Sequence, residues 1–344
     1  MSLVRLLVGN RRGGAAASHR ISRVSECSQR QHGPSGFDRS SRSVHSGLQG
    51  GPRSSTYSGT VISIGMGTTS VLPRRLHDAF RLAAEAGFDG VEIMVTSDPD
   101  TRDRRVISAL SERYGMPVLS IHAPVLVLTA FVYGLDPHVK LERSIELARD
   151  VGARAVVVHP PFRWQVLAAS GFEQSVRALE ARHGVTVAVE NMFPVTVHGR
   201  DREAYAPSWN PGELAVDALT LDFSHAALAG VSALDLAQQW GDRLRHVHLC
   251  DGSSIEPNDR VFDEHLLPGR GAQPVAEVLR LLADRNFDGA IVAEINTRSC
   301  GSDDDERVEL LRETVRFARE HTAPRGSGSP LDEQFAGDAH ATAR

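Results

Sequence analysis

Histidines and carboxylates recur through the middle of the chain, each next to a short apolar run. In order they are Glu92, His122 in His122-Ala123-Pro124, His159 in His159-Pro160-Pro161, Glu190 before Asn191, and Asp222 and His225 in Asp222-Phe223-Ser224-His225. His246 and His248 follow, then Asp251, then Asp263 and His265 in Asp263-Glu264-His265, and finally Glu294 in Glu294-Ile295-Asn296. Imidazole and carboxylate without thiolate are the donor set of zinc, manganese and similar divalent ions, and they are also the groups that move protons at neutral pH. A single buried histidine or aspartate usually serves as a hydrogen-bonded core group. Many carboxylates converging on one place would repel one another unless cations held them.

Convergence depends on the elements that carry these residues. β-branched runs at Val61–Ile64, Gly90–Met94, Pro117–Ile121, Ala155–His159, Thr186–Glu190, Leu219–Asp222, His246–Leu249 and Ala290–Glu294 predict buried parallel strands. Amphipathic segments such as Arg75–Ala86, Leu141–Val151, Pro274–Arg285 and Glu306–His321 predict helices between them. Gly87, Gly115, Gly152 and Gly184 stand where helices must stop and strands begin. The expected fold is α/β, a (β/α)8 TIM barrel over residues 59–321. No GxGxxG follows the first strand, which disfavours a dinucleotide-binding sheet. In such a barrel the chemistry lies at the carboxyl ends of the strands, where nearly all of the residues above fall.

The flanks read differently. Residues 1–58 are rich in Ser, Gly and Arg, carry a net charge of +7 and show no sustained apolar periodicity, so a disordered tail is expected. Their composition also fits a targeting segment or a misassigned start. Residues 322–344 are expected to be a second disordered tail. The rest carries −12, which disfavours general binding to nucleic acid. No apolar run reaches the roughly 18 residues of a membrane span, and the three cysteines (Cys27, Cys250, Cys300) are too few for a disulfide scaffold. A cytoplasmic protein is expected, with oligomeric state open and a homo-oligomer compatible.

The motifs His-Ala-Pro at 122–124, Val-His-Pro at 158–160, Val-Glu-Asn at 189–191, Leu-Asp-Phe-Ser-His at 221–225, His-Val-His-Leu-Cys-Asp at 246–251, Asp-Glu-His-Leu-Leu-Pro-Gly-Arg-Gly at 263–271 and Ala-Glu-Ile-Asn at 293–296 together resemble the xylose-isomerase-like barrel superfamily. That superfamily includes sugar isomerases and epimerases and the endonuclease IV relatives. The resemblance implies a divalent ion (Zn, Mn or Co) on Glu190, Asp222, His248 and Glu294, with Glu190 and Glu294 as the acid and base. The implied reaction is isomerisation or epimerisation of a sugar or sugar phosphate through an enediolate. His122, His159, His225, Asp263 and His265 are further metal or substrate positions, and with the first four they match all nine ligands of the three-zinc nucleases. Against that second reading, the loops Gly65-Met66-Gly67-Thr68-Thr69, Pro160-Pro161-Phe162-Arg163-Trp164 and Asn296-Thr297 depart from the nuclease pattern. A degenerate, metal-free sugar-binding barrel is the third. Glu92 is read as a contact to a substrate hydroxyl or an anchor for loop amides. Arg270, between two glycines, is read as a partner for a substrate phosphate or carboxylate, or as a solvated loop residue. His246 is read as core, and Cys250 as facing the helical layer without chemistry.

Overall fold

A computed structural model describes residues 62–323 apart from 125–128, 130, 198–199 and 254–262. The expected tails, 1–58 and 322–344, lie outside the described residues except for Thr322 and Ala323. The strands are β1 (Ser63–Gly67), β2 (Gly90–Met94), β3 (Val118–His122), β4 (Ala155–Val158), β5 (Thr186–Glu190), β6 (Val195–Val197), β7 (Arg200–Arg202), β8 (Ala218–Asp222), β9 (Leu244–Leu249) and β10 (Ala290–Ala293). All but β6 and β7 form a closed parallel barrel in the order β1-β2-β3-β4-β5-β8-β9-β10, with β10 hydrogen-bonded back to β1. The expected eight-stranded barrel is therefore present. β6 and β7 form a small antiparallel hairpin inserted after β5 that strand patterning did not reveal.

The helices are α1 (Leu76–Ala86), α2 (Arg104–Tyr114), α3 (Pro137–Val151), α4 (Val166–His183), α5 (Phe223–Leu228), α6 (Ala233–Trp240), α7 (Val275–Asp284) and α8 (Asp304–Thr322). Each apolar stripe expected from spacing meets the barrel: Leu76, Phe80 and Ala83 of α1 are buried, as are Val278 and Leu282 of α7. α3 starts at an Asp136 cap with Pro137 in its first turn and stops at Gly152, whose φ of 77° is accessible to glycine at little cost.

Two departures from expectation have local causes. The first strand begins two residues later and ends three residues later than the expected Val61–Ile64, passing through Gly65 and Gly67, which weaken its apolar pattern. A Cβ on Gly65 would come within 2.6 Å of Leu119, whose side chain takes the space that a residue there would need. The unexpected α5 begins where Asp222 accepts a hydrogen bond from the His225 amide at 2.8 Å, so one carboxylate both ends a strand and caps a helix.

Candidate active site

Strand alternation turns His246 and His248 of β9 into the barrel, and register places their neighbours around them. β10 holds Val292 beside His248, and β8 holds Asp222 beside it on the other side. The His248 ring sits among four carboxylates. Its Nδ1 is 3.1 Å from Glu190 Oε1, 3.5 Å from Glu294 Oε2 and 3.7 Å from Asp222 Oδ2, and its Nε2 is 3.1 Å from Glu92 Oε1. All of these groups are buried. The expected quartet Glu190, Asp222, His248 and Glu294 thus meets on one side of one ring.

Glu92 lies on the floor of the mouth, 1% exposed, and not among loop amides. It accepts hydrogen bonds from Ser120 Oγ at 2.6 Å and from His248 Nε2 at 3.1 Å. Its place beneath His248 fits the role of orienting that ring better than that of touching a substrate hydroxyl. His246 is buried below, its Nε2 2.8 Å from Glu92 Oε2 but out of hydrogen-bond alignment, in keeping with its reading as core.

The other histidines gather around the same carboxylates. His122 Nε2 and His159 Nε2 approach Glu190 Oε2 at 3.2 and 3.0 Å. His225 Nε2 and His265 Nε2 approach Asp263 Oδ2 at 3.3 and 3.0 Å. Three of these rings are fixed from behind. The Nδ1 atoms of His122, His225 and His265 lie 2.9, 2.8 and 2.6 Å from the carbonyl oxygens of Ala123, Asn191 and Glu294. A carbonyl only accepts, so each Nδ1 carries a proton, and each Nε2 is left facing a carboxylate. Two acceptors face to face need a proton or a metal ion between them. A histidine whose other nitrogen donates to a backbone carbonyl is also the usual arrangement of a metal ligand. The donor groups His122–Glu190–His248, Glu190–Asp222–His225 and His225–Asp263–His265 each bring their ligating atoms within 4.8 Å of one another. This residue set fits divalent ions.

Charge follows the same geometry. Burial by itself would push the Glu190 carboxyl up, but His248, His159 and His122 outweigh it and hold it well below the usual carboxylate range. Burial disfavours protonation of His248, yet Glu294, Glu190 and Glu92 drive its pKa well above normal. His225 and His265 rise in the same way, against burial, beside Asp222 and Asp263. Only His159 falls, because its burial outweighs Glu190. The field that draws protons onto these rings is the field that would draw a cation.

Thr69, Asn191 and Ser224 support the site without having been read from the sequence as site residues. Thr69 Oγ1 donates to Glu294 Oε1 at 3.0 Å, and a Cβ on the neighbouring Gly67 would stand 3.1 Å from that same oxygen. Asn191 clasps the end of β8, receiving the Asp222 amide at 2.7 Å and donating to the Asp222 carbonyl at 3.0 Å. Ser224 Oγ donates to Asp263 Oδ1 at 2.8 Å. His265 has a φ of 46°, a left-handed conformation that costs a non-glycine residue on the order of 1 kcal/mol and aims its ring at Asp263.

Two expectations are corrected. Arg270 does not enter the mouth: its guanidinium pairs with Glu313 of α8 at 2.7 Å on the exposed surface. The amides of Gly269, Gly271 and Gln273 that could have cradled an anion are already taken, at 3.0, 3.0 and 3.1 Å, by the Asp251 carboxylate. Cys250 does not face the helices. It lies two residues after His248 and so shares its side of the strand, with Sγ 3.7 Å from Asp222 Oδ1. Burial, reinforced by Asp222, pushes its thiol up to about 12.

A barrel whose strand ends carry this His and carboxylate set defines a recognisable class. Residues 80–321 match the family model of the xylose isomerase-like TIM barrel, and the chain belongs to that family. It is 45% identical over 279 residues to an uncharacterized protein of Mycobacterium tuberculosis, covering 76% of this chain and 98% of that one. It is 26% identical over 251 residues to a fructoselysine 3-epimerase of Escherichia coli O157:H7, covering 64% of this chain and 86% of the relative. Among solved structures, a D-tagatose 3-epimerase-like protein superposes with a TM-score of 0.55 at 22% identity, over 76% of this chain and all (100%) of that one. The IOLI protein with a bound zinc atom superposes with a TM-score of 0.55 at 16% identity, over 76% and 100% of the two chains. Both structural likenesses show the fold. Among the described residues, no helix is long and apolar enough to cross a membrane.

Proposed function

We propose that the chain is a sugar epimerase or isomerase that moves a proton on a carbon next to a carbonyl. The observation that carries this reading is the convergence of Glu190, Asp222 and Glu294 on Nδ1 of His248, deep in the barrel mouth. Those four residues would hold the divalent ion (Zn, Mn or Co), which when bound supplies positive charge to polarise the substrate carbonyl. The chain's own groups do the rest. Glu190 and Glu294 end strands on opposite sides of β8 and β9, so they approach a bound carbon from two directions, one removing a proton and the other returning it. Thr69 holds one oxygen of Glu294 and leaves the other toward the centre. Glu92 fixes the His248 ring from below. A fructoselysine epimerase among the relatives supports a small-molecule sugar as substrate.

The test is solvent exchange. In D2O the protein is expected to place deuterium on the carbon next to the carbonyl of a ketose, read by NMR, with a divalent ion in the purified protein. Glu190→Gln and Glu294→Gln should each lower exchange by about 10³-fold with a smaller loss of metal than Asp222→Ala or His248→Ala, since an amide offers an oxygen to a metal but shuttles no proton. Metal-loaded protein that exchanges no proton on a panel of ketoses and inosose-type polyols sinks the reading.

One observation favours a second reading. The triple His225–Asp263–His265 and the pair His122 and His159 on Glu190 offer places for further ions, the arrangement a metal-cluster phosphodiesterase of abasic DNA would use. Three ions per chain, lost together with cleavage of an abasic duplex in His159→Ala and His265→Ala, would replace the first reading with this one.

A further inference from the structure

A cavity of about 820 Å³ opens beside the barrel mouth, between α3 and α4. Its inner wall includes His159, 24% exposed, whose Nε2 is 3.0 Å from Glu190. Most of the lining is apolar, and it includes four large apolar side chains exposed to solvent, Leu135, Trp164, Val166 and Leu167. Trp164 stacks on Phe162 at 4.2 Å between ring centroids, and Phe162 stacks on Tyr205 at 4.9 Å, giving one wall an aromatic facing. A pocket of this size takes a drug-sized molecule, several times what a free hexose fills.

Two residues on the wall are out of place for mere packing. Lys140, the sole lysine of the chain, is only 5% exposed. Its Nζ donates to the Thr129 carbonyl at 2.8 Å, which uses one of its three protons. Burial lowers its pKa, and no described carboxylate acts on it. A buried ammonium without a counter-ion is costly unless an anion comes to it. The other charged groups at the wall, Asp136 and His138, lie exposed at the start of α3, where Asp136 is occupied as the helix cap. Gly171 lies within α4, where glycine is a poor helix former, and a Cβ added there would meet nothing within 4 Å. Its absence of a side chain keeps the cavity open.

We infer that this cavity holds the non-reacting end of the substrate, an apolar or aromatic group ending in a carboxylate or another anion that pairs with Lys140. Resting on the epimerase reading, this makes the substrate a sugar conjugate whose sugar end reaches Glu190 past His159.

Two experiments on the full chain test it. The first titrates the anionic dye 8-anilinonaphthalene-1-sulfonate and its uncharged ring analogue N-phenyl-1-naphthylamine. Wild type should bind the anionic dye about tenfold more tightly than the neutral one, the size of a charge-assisted contact. Lys140→Met should remove that difference and Lys140→Arg restore part of it. Gly171→Leu should lose both dyes, and because it replaces a mid-helix glycine with a strong helix former in open space, it should melt no lower than wild type. Equal binding of the two dyes by wild type, or unchanged binding by Gly171→Leu, overturns the inference. So does a dimer that excludes dye until Leu167→Asp separates it, which would assign the patch to a second copy.

The second experiment compares free fructose, fructose bearing a 4-carboxyphenylamino group at C1, and the methyl ester of that conjugate. The acid should show a kcat/KM about tenfold above the ester, with the margin lost in Lys140→Met. Fructose turned over as well as the acid overturns the inference and leaves the epimerase reading intact. No exchange on any of the three, with the dye pattern as expected, overturns the epimerase reading and leaves an anion-accepting apolar cavity.

Discussion

The protein contains two dense networks of charge that solve the same problem in opposite ways. At the seam where α8 meets α1, three guanidiniums surround one carboxylate. Arg307, wholly buried, reaches Asp304 at 2.6 Å and donates to Thr297 and to the carbonyls of Gly301 and Asp303. Arg74 and Arg81 reach the same carboxylate at 2.9 and 2.5 Å. Each guanidinium has carboxylate or carbonyl acceptors, and the positive charges persist across the working pH range. In the barrel mouth, by contrast, the positive partners are imidazoles, which carry charge only when protonated. Imidazole nitrogens there stand 3.0 to 3.3 Å from carboxylate oxygens, contacts that hold only with a proton or a cation between the two. The seam keeps its charges whatever the pH, whereas the balance of the mouth depends on whether its imidazoles are protonated or a cation takes the place of those protons. A self-satisfied network builds structure; an unsatisfied one, held rigid by backbone carbonyls, is built to bind.

The largest expected effect separates these roles. Treating the protein with a chelator should abolish turnover, and adding back zinc, manganese or cobalt should restore it, while circular dichroism shows the barrel still folded. Glu190→Gln should lower turnover by about 10³-fold with metal still bound, because removing an acid/base group typically forfeits about 10²–10⁴. Turnover that survives metal removal would mean that protons alone complete the mouth, and the contrast with the seam would fail.

Next in size is the opposite experiment. Arg307→Met leaves Asp304, Thr297 and two carbonyls short of their donor at a buried site. A loss of about 2–3 kcal/mol in unfolding free energy is expected, below the value for a fully dry pair because Asp304 keeps contact with water. Metal content per folded chain should not change, as determined by elemental analysis beside a urea titration. A variant that loses metal as well would show that the two networks are one.

This contrast also marks what could be read from sequence. Eight β-branched runs and their intervening amphipathic helices made the barrel legible, because strand burial and helix periodicity are local properties. The His and carboxylate positions were legible for the same reason, each standing where an apolar run ends. What was hidden depended on distant partners. Glu92 shows its relation to His248 only when β2 and β9 face each other across the barrel. Arg270 looked poised for an anion until α8 brought Glu313 to it and Asp251 filled the loop amides. The inward turn of Cys250 follows from strand alternation and was readable, since positions 248 and 250 share a face. The cavity at Lys140 arises from two helices whose separation no local pattern encodes.

A smaller effect tests how the mouth is tuned. Glu92 holds His248 by its Nε2, leaving Nδ1 for the centre. Glu92→Gln keeps the shape but removes the charge, and metal affinity should fall about 10- to 100-fold, as it does when the group behind a ligand histidine is altered. A competition titration with a chromophoric chelator measures it. Unchanged affinity would make Glu92 a floor residue only.

The smallest effect concerns acid. Burial alone would raise the Asp304 pKa, but hydrogen bonds from Arg81 and Arg74 outweigh it and hold the folded-state value below normal. In the unfolded chain an aspartate titrates near about pH 3.9. A carboxyl whose folded pKa is depressed adds stability that is fully present above the unfolded value and is lost as pH falls through the folded one. Because Asp304 is 29% exposed, solvent screening limits this to about 0.5–1 kcal/mol despite three arginines. Asp304→Asn still offers an oxygen to Arg307 but does not titrate, so its stability should fall less steeply than that of wild type below about pH 4. Urea midpoints collected from pH 5 down to about pH 2.5, on metal-free protein so that the mouth contributes equally to both chains, give the comparison. Parallel curves would mean that the arginines fix the geometry of the seam without drawing on the charge of Asp304.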